Sequence, residues 1–171
     1  MITIIYPYRN RELSRIKRSL DSLVHQDNLN FRVLFVDYGS SIPFADEVKN
    51  LVLSYSFATY QYSYTLHQPW SRSKAINIGL KWVQTPYVFV ADIDVIFRND
   101  FIAILNNLAN SARCYYFKVG FLSEPETSVT KNFSEYQISF SSEIGAQGLS
   151  LFPLQPVKGI HGFDEFLHFW G

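Results

Sequence analysis

Apolar positions along the chain fall into two patterns that follow one another in a regular order. Short continuous apolar runs, typical of strands buried on both faces, are followed by stretches in which apolar residues recur at helical spacing. The first pattern, together with a period-two stretch of tyrosines, predicts strands at residues 2–6, 33–36, 60–66, 87–91 and 115–119. The second predicts helices at residues 13–24, 45–57, 71–83 and 101–109.

This order of elements predicts an α/β fold. Strands that alternate with helices form a mostly parallel sheet joined by right-handed crossovers. Asn10 and Ser71 are the predicted N-caps of the first and third helices. The polar stretch 123–142 is expected to be a surface loop or an irregular excursion. No internal repeat or linker is visible, so residues 1–171 are interpreted as one domain.

Composition narrows the class of protein. The chain has 171 residues, of which 47% are hydrophobic, and this excludes a disordered or low-complexity chain. A formal net charge of zero argues against a nucleic-acid binder. No apolar run is long enough for a transmembrane segment. The single cysteine favours a reducing compartment, so a cytoplasmic location is expected, with peripheral membrane attachment left open.

Three polar clusters follow predicted strands, at residues 7–10, 37–41 and 92–94. Ligands of open parallel sheets bind outside the carboxyl ends of the strands. The clusters are far apart in sequence, but the sheet would bring them to one rim. We therefore expect a binding site at that rim.

The acidic residues of these clusters each have two interpretations. Asp92 and Asp94 follow a buried strand, where two carboxylates repel each other unless a cation or a hydrogen-bond network neutralises them. A hard divalent cation, bound by carboxylates together with substrate phosphates, usually neutralises such a pair. The alternative interpretation is that Asp92 and Asp94 belong to a polar turn with no metal-binding role. Asp37 fits equally well an Asx-turn or a carboxylate that contacts a nucleobase or ribose.

Two basic clusters open predicted helices. Arg72 and Lys74 lie in the first turn of the third helix, where cations oppose the helix dipole but are well placed to bind an anion together with free N–H groups. Arg9 and Arg11 open the first helix in the same way. The alternative is a solvated basic turn.

Five motifs occur in the chain in the order seen in one known family. They are Y-P-Y-R-N-R, V-D-Y-G-S-S, W-S-R-S-K-A-I-N-I-G, V-F-V-A-D-I-D-V-I-F and G-F-D-E-F-L-H-F-W-G. The set resembles GT-A-fold glycosyltransferases of family 2, leaning toward chondroitin-polymerase and galactosyltransferase-like members. The resemblance implies a Rossmann-like α/β/α sandwich, with a nucleotide-binding half at 1–119 and a partial acceptor half at 120–171.

The resemblance also implies an activity. Its members are inverting, metal-dependent hexosyl- or N-acetylhexosaminyltransferases that move a sugar from a nucleotide-diphosphate donor to a glycan or other acceptor hydroxyl. This implies a UDP-sugar donor, Mn²⁺ or Mg²⁺, and a place in polysaccharide biosynthesis.

Site residues can be carried over motif by motif. The implied donor-binding residues are Pro7, Tyr8, Arg9, Asp37, Arg72, Lys74, Asn77, Asp92 and Asp94. Of these, Asp94 and Asp92 would hold the metal. Asp164 and Glu165 would be the catalytic carboxylates on the acceptor or donor-sugar side, with Trp170 shaping that pocket.

The sequence departs from the family pattern at two places. Tyr38 stands where the family usually has a second aspartate. The given sequence ends at Gly171, before the acidic pair that in the family follows W-G and supplies the catalytic base, and before a usual histidine metal ligand. A truncated, inactive domain that only binds a nucleotide sugar is therefore the alternative to an active transferase.

Overall fold

A computed structural model describes residues 1–110, 112–127, 130–142 and 146–166. Its strands are β1 (Ile2–Tyr8), β2 (Phe31–Asp37), β3 (Ala58–Tyr62), β4 (Tyr87–Ala91), β5 (Tyr115–Phe117), β6 (Gly120–Leu122), β7 (Ile138–Ser141) and β8 (Ala146–Pro153). Its helices are α1 (Leu13–Val24), α2 (Ile42–Leu53), α3 (Arg72–Trp82), α4 (Phe101–Leu108), α5 (Glu124–Thr127) and α6 (Leu154–Gly159), with a 3₁₀ turn at Phe133–Glu135.

The main sheet has the strand order β3-β2-β1-β4-β8-β5. Strands β3, β2, β1 and β4 are parallel neighbours, while β8 runs antiparallel to both β4 and β5. The predicted α/β architecture with a mostly parallel central sheet is therefore confirmed. Strands β6 and β7 form a separate antiparallel pair.

Helices cover both faces of the main sheet. One core contains apolar residues of α1, α2 and α4, among them Leu20, Val48 and Ile102, all fully buried. The second core contains residues of α3 and α6, among them Ile76 and Val157. This gives the three layers expected of an α/β domain. No helix in the described part of the chain is long and apolar enough to cross a membrane.

The strand β1 continues past the predicted end at residue 6. Pro7 and Tyr8 remain paired with β2, in register with Val36 and Asp37. The ladder to β4, in contrast, ends at the pair of Ile5 and Val90. Beyond that pair the carboxyl ends of β1 and β4 are no longer bonded to each other, which leaves room between them for side chains and ligands.

The two predicted N-caps have different outcomes. Ser71 caps α3 as expected, since its side chain accepts a hydrogen bond from the Lys74 N–H. The prediction for Asn10 is wrong, because α1 begins at Leu13 with Glu12 as its N-cap. Asn10 instead adopts a left-handed backbone (φ 46°), and its Oδ1 accepts a hydrogen bond from the Ser41 N–H at 3.1 Å. It therefore links the ends of β1 and β2.

The stretch 123–142 lies at the surface as expected, since none of its described residues is buried, but it is not a plain loop. It contains α5, the 3₁₀ turn and β7, which pairs with β6. Strand β8 was not predicted, although it lies between β4 and β5 with Leu149 and Leu151 buried.

Candidate active site

The three polar clusters lie at the carboxyl ends of the neighbouring strands β2, β1 and β4. The chain winds outward from β1 through β2 to β3, and then returns to the other side of β1 to form β4. A crevice at such a reversal of strand order is the usual ligand site of open α/β sheets. The structure therefore brings the predicted clusters to one rim, which we call the β1–β4 rim (residues 7–10, 37–41 and 92–94).

Asp92 is held by a buried arginine. The Nε and Nη2 atoms of Arg72 both donate to Asp92 Oδ1 at 3.2 Å, and Nη2 also donates to the Gly148 carbonyl at 3.3 Å. The Arg72 side chain is 10% exposed and that of Asp92 is 48% exposed. Burial raises the pKa of the Asp92 carboxyl, Arg72 opposes that rise, and the Asp94 charge adds to it. Arg72 thus fixes Asp92 while leaving part of its carboxylate open.

Strand β8 contributes backbone to this site. A Cβ atom on Gly148 would collide with the Asp92 carboxylate, so glycine is required for this close approach. Sequence reasoning missed this contribution. The stretch from Leu149 to Phe152, apolar except for Ser150, was the available signal for a strand, but it gave no indication that the strand would pair with β4.

Asp94 has a weaker charged partner than Asp92. Its Oδ2 lies 3.6 Å from Arg15 Nη1 on α1, and both side chains are partly exposed. Sequence reasoning did not identify Arg15, because the α1 face that meets the rim depends on packing.

The donor set of the rim fits a hard divalent cation. Asp92 and Asp94 offer carboxylate oxygens, and the described residues contain no cluster of three or more histidine, cysteine, aspartate or glutamate side chains. Mg²⁺-like ions are commonly bound by one or two carboxylates, with substrate phosphates and water as the other ligands. Two partly exposed aspartates at the carboxyl end of β4 match that pattern.

Asp37 organises the turn after β2. It is fully buried, and its two oxygens accept hydrogen bonds from the Ser40 N–H at 2.7 Å and the Tyr60 hydroxyl at 2.6 Å. Burial raises the pKa of this carboxyl, and the two hydrogen bonds oppose the rise. The bond to the Ser40 N–H, three residues on, supports a local turn role for Asp37, while contact with a nucleobase or ribose stays a prediction.

We expect Tyr60→Phe to destabilise the protein by about 1–3 kcal/mol, because Asp37 loses a buried hydrogen-bond donor. The lost bond favours the ionised carboxylate, so the mutant pKa lies above the wild-type pKa. The cost should therefore be largest at neutral pH and shrink as the pH falls through the Asp37 pKa. Urea unfolding of both proteins across the acidic range measures this difference.

Tyr64→Phe is the matched control for this variant, because Tyr64 is 94% exposed. It should unfold like the wild type at every pH. A Tyr60→Phe penalty that is independent of pH would contradict the assigned role of the Asp37 bond.

Arg9 holds a neighbouring segment of the chain. Its Nη1 and Nη2 atoms donate to the carbonyls of Gln68 and Leu66 at 2.6 and 2.5 Å. Gly39 has a φ of 76°, and a Cβ atom there would lie 2.5 Å from the Leu66 nitrogen. Tyr38 reinforces this contact, since its hydroxyl donates to Gln68 Oε1 at 3.0 Å. In this structure Arg9 therefore orders the segment beside the rim, and its contact with a donor stays a prediction.

The other two donor-binding residues expected from the first motif are the last two residues of β1. Pro7 and Tyr8 are buried. The Tyr8 ring lies 5.0 Å from that of Phe35, and its hydroxyl donates to the Arg11 carbonyl. Their direct contact with a nucleotide stays a prediction.

Helix α3 presents the remaining predicted residues. Lys74 lies half-buried in the first turn, and Asn77 hydrogen-bonds the segment around Phe163 and Glu165. Asp164 and Glu165 are exposed. Trp170 lies outside the described residues.

Comparison with known proteins defines the family. Residues 3–148 match the family model described as Glycosyl transferase family 2. The chain belongs to this family. Among curated proteins, none matches the sequence.

Solved structures agree with the family 2 assignment at the level of fold. The mannosyltransferase PcManGT from Pyrobaculum calidifontis, solved with GDP-Man and Mn²⁺, is 18% identical with a TM-score of 0.67. GalNAc-T7, solved with UDP, GalNAc and Mn²⁺, is 14% identical with a TM-score of 0.65. TarS 1-349 from S. aureus is 16% identical with a TM-score of 0.64. The expected Rossmann-like GT-A fold is thereby confirmed.

The family 2 chain aligns with these structures over almost its whole length. The alignments with PcManGT, GalNAc-T7 and TarS 1-349 cover 96%, 99% and 98% of this chain, respectively. They cover 47%, 38% and 51% of the solved chains, in the same order. The chain thus spans about half or less of their lengths.

Proposed function

We propose that this family 2 domain is a metal-dependent, inverting glycosyltransferase that uses a nucleotide-diphosphate sugar. The observation that carries the proposal is the placement of Asp92 and Asp94 at the switch point of the sheet, beside the basic first turn of α3. Carboxylates that would bind a metal cation and basic side chains that would bind a diphosphate therefore lie in the same part of the fold.

The donor end of the proposed site uses four side chains. Asp94 and Asp92 would hold Mn²⁺ or Mg²⁺, and Arg72 would keep Asp92 oriented. Lys74 would face the diphosphate, whose negative charge grows as the sugar departs. The metal, when bound, supplies Lewis-acid stabilisation of that departing diphosphate.

The acceptor end of the proposed site uses Asp164 and Glu165, whose exposed side chains would face the acceptor or the donor sugar. A carboxylate base would take the proton of the acceptor hydroxyl. The acceptor oxygen would form a bond to the anomeric carbon from the face opposite the diphosphate. The bond between the anomeric carbon and the phosphate oxygen would break, and its electron pair would leave with the diphosphate.

We further propose a UDP-sugar donor of the hexose or N-acetylhexosamine type, a glycan acceptor and a role in polysaccharide biosynthesis. The resemblance of the five motifs supports these choices, and GalNAc-T7 provides a solved neighbour with UDP. The single cysteine supports a cytoplasmic location for this reaction.

Calorimetric titration of the protein with UDP and with GDP, each with Mn²⁺ or with EDTA, tests the donor proposal. We expect UDP to bind in the presence of Mn²⁺ and to bind much more weakly in EDTA. Tighter binding of GDP would overturn the choice of UDP. No binding of either nucleotide would overturn the proposed site.

A further inference from the structure

Helix α3 is bonded to the segment that carries the proposed catalytic carboxylates. The Asn77 Oδ1 accepts a hydrogen bond from the Phe163 N–H at 2.8 Å. The Asn77 Nδ2 donates to the Phe163 carbonyl and to Glu165 Oε1, both at 2.9 Å. One side-chain amide therefore binds both the backbone and a side chain of this segment.

The backbone before Phe163 is shaped to allow this contact. Gly162 has a φ of 83°, and a Cβ atom at this position would collide with Asn77 Oδ1. Glycine is favoured here both by the left-handed backbone and by the close approach. The G-F-D-E motif and Asn77 thus form one local unit.

The same helix carries the basic residues of the donor end. Arg72 opens α3 and binds Asp92, while Asn77 lies about 7.5 Å farther along the helix axis. Because α3 packs on the sheet through buried residues such as Ile76, it is a rigid connection between Asp92 and residues 163–165.

We propose that Asn77 is a positioning residue, which holds Asp164 and Glu165 at a fixed place relative to the donor end of α3. The effect on turnover that this inference predicts rests on the proposed function. The positioning role replaces the donor-binding role that the family resemblance implies for Asn77, because the contacts of its amide are made to residues 163–165.

The contact also assigns different tasks to the two oxygens of Glu165. Asn77 engages Oε1, and no described residue donates a hydrogen bond to Oε2. The bond to Oε1 restricts the side chain, so that Oε2 can be presented to an acceptor hydroxyl. Loss of the bond should therefore affect turnover more than nucleotide binding.

Asn77→Ala removes the tether and provides the first test. Hydrogen exchange of the Phe163 amide should become faster. Turnover should fall by about 10- to 100-fold, as expected when reacting groups lose their alignment. The affinity for UDP with Mn²⁺ should stay at the wild-type value. Asn106→Ala is the matched control, since it removes an amide of α4 that is bonded to Asn30 and should change none of these three measurements.

A charge variant separates positioning from simple space filling. Asn77→Asp has nearly the same shape as the wild type and keeps an oxygen that accepts from the Phe163 N–H, but it replaces the donating NH₂ by an oxygen that repels Glu165 and the Phe163 carbonyl. We expect exchange at the Phe163 amide to stay slower than in Asn77→Ala, while turnover falls as it does in Asn77→Ala. Wild-type turnover in Asn77→Asp would overturn the positioning of Glu165 by the Asn77 NH₂.

Three further results would overturn the proposal in distinct ways. Unchanged exchange at Phe163 in Asn77→Ala would show that the tether does not exist. Weaker UDP binding with unchanged exchange would make Asn77 a donor contact. Faster exchange with wild-type turnover would exclude a positioning role. If the wild-type protein transfers no sugar, the proposed function fails and the positioning role falls with it, while the exchange measurements still decide whether the tether exists.

Discussion

Asp94→Asn is expected to lower the turnover of sugar transfer by about 10³-fold, equivalent to about 4 kcal/mol of transition-state stabilisation. Asparagine keeps the shape of the side chain but removes the charge that would hold the cation. Asp94 and its neighbour Arg15 are both partly exposed, so the stability of the fold should change by less than about 1 kcal/mol. Initial rates at saturating Mn²⁺, together with urea unfolding, measure both effects.

Asp46→Asn is the matched control for Asp94→Asn. Asp46 is an exposed carboxylate on α2, so its replacement removes the same charge away from the rim. It should transfer sugar at the wild-type rate. Wild-type turnover in Asp94→Asn would contradict the assignment of Asp94 as a metal ligand.

Leu151→Ala is expected to reduce the free energy of unfolding by about 2–5 kcal/mol, because it opens a cavity in the core. Leu151 is 1% exposed and lies on β8, paired with Phe89 of β4 and Tyr115 of β5. A loss of this size is a large part of the total stability of a domain, which is typically about 5–15 kcal/mol. Urea unfolding at neutral pH measures it.

Leu29→Ala makes the same chemical change at a site that is 72% exposed. Its stability should stay within about 0.5 kcal/mol of the wild type. Equal unfolding midpoints for Leu151→Ala and Leu29→Ala would contradict the placement of β8 inside the main sheet.

The rim could be predicted because buried parallel strands have a strong local signal. The segments that form β1, β2 and β4 are continuous apolar runs, and each is followed directly by polar residues. The rule that ligands bind at the carboxyl ends of such strands then placed Asp37, Asp92 and Asp94 together without any knowledge of contacts.

The contacts of the rim could not be predicted, because they depend on long-range register. Tyr60 reaches Asp37 only when β3 pairs with β2 in the observed register, in which Asp37 is opposite Tyr62. Gly148 reaches Asp92 only because β8 enters the sheet beside β4. Neither pairing can be recognised from the local pattern of apolar residues.

Polar and charged side chains were the hardest to assign from sequence. A basic residue near a helix start is a good candidate for anion binding. The prediction that Arg9 and Arg11 open the first helix is wrong, because α1 begins at Leu13. In the folded chain the Arg9 guanidinium donates to two backbone carbonyls. Asn77 likewise bonds residues 163–165. The sequence identifies which groups can donate, but the packing of distant segments decides which acceptors they meet.

Sugar transfer itself provides the most direct test of the central claim. The purified protein is incubated with a panel of UDP- and GDP-sugars, glycan acceptors and Mn²⁺, and the release of nucleoside diphosphate is followed with time. We expect nucleoside diphosphate to be released only when both an acceptor and the metal are present, and its release to stop when EDTA is added. Release that continues unchanged in EDTA, or no release from any nucleotide sugar, would contradict it.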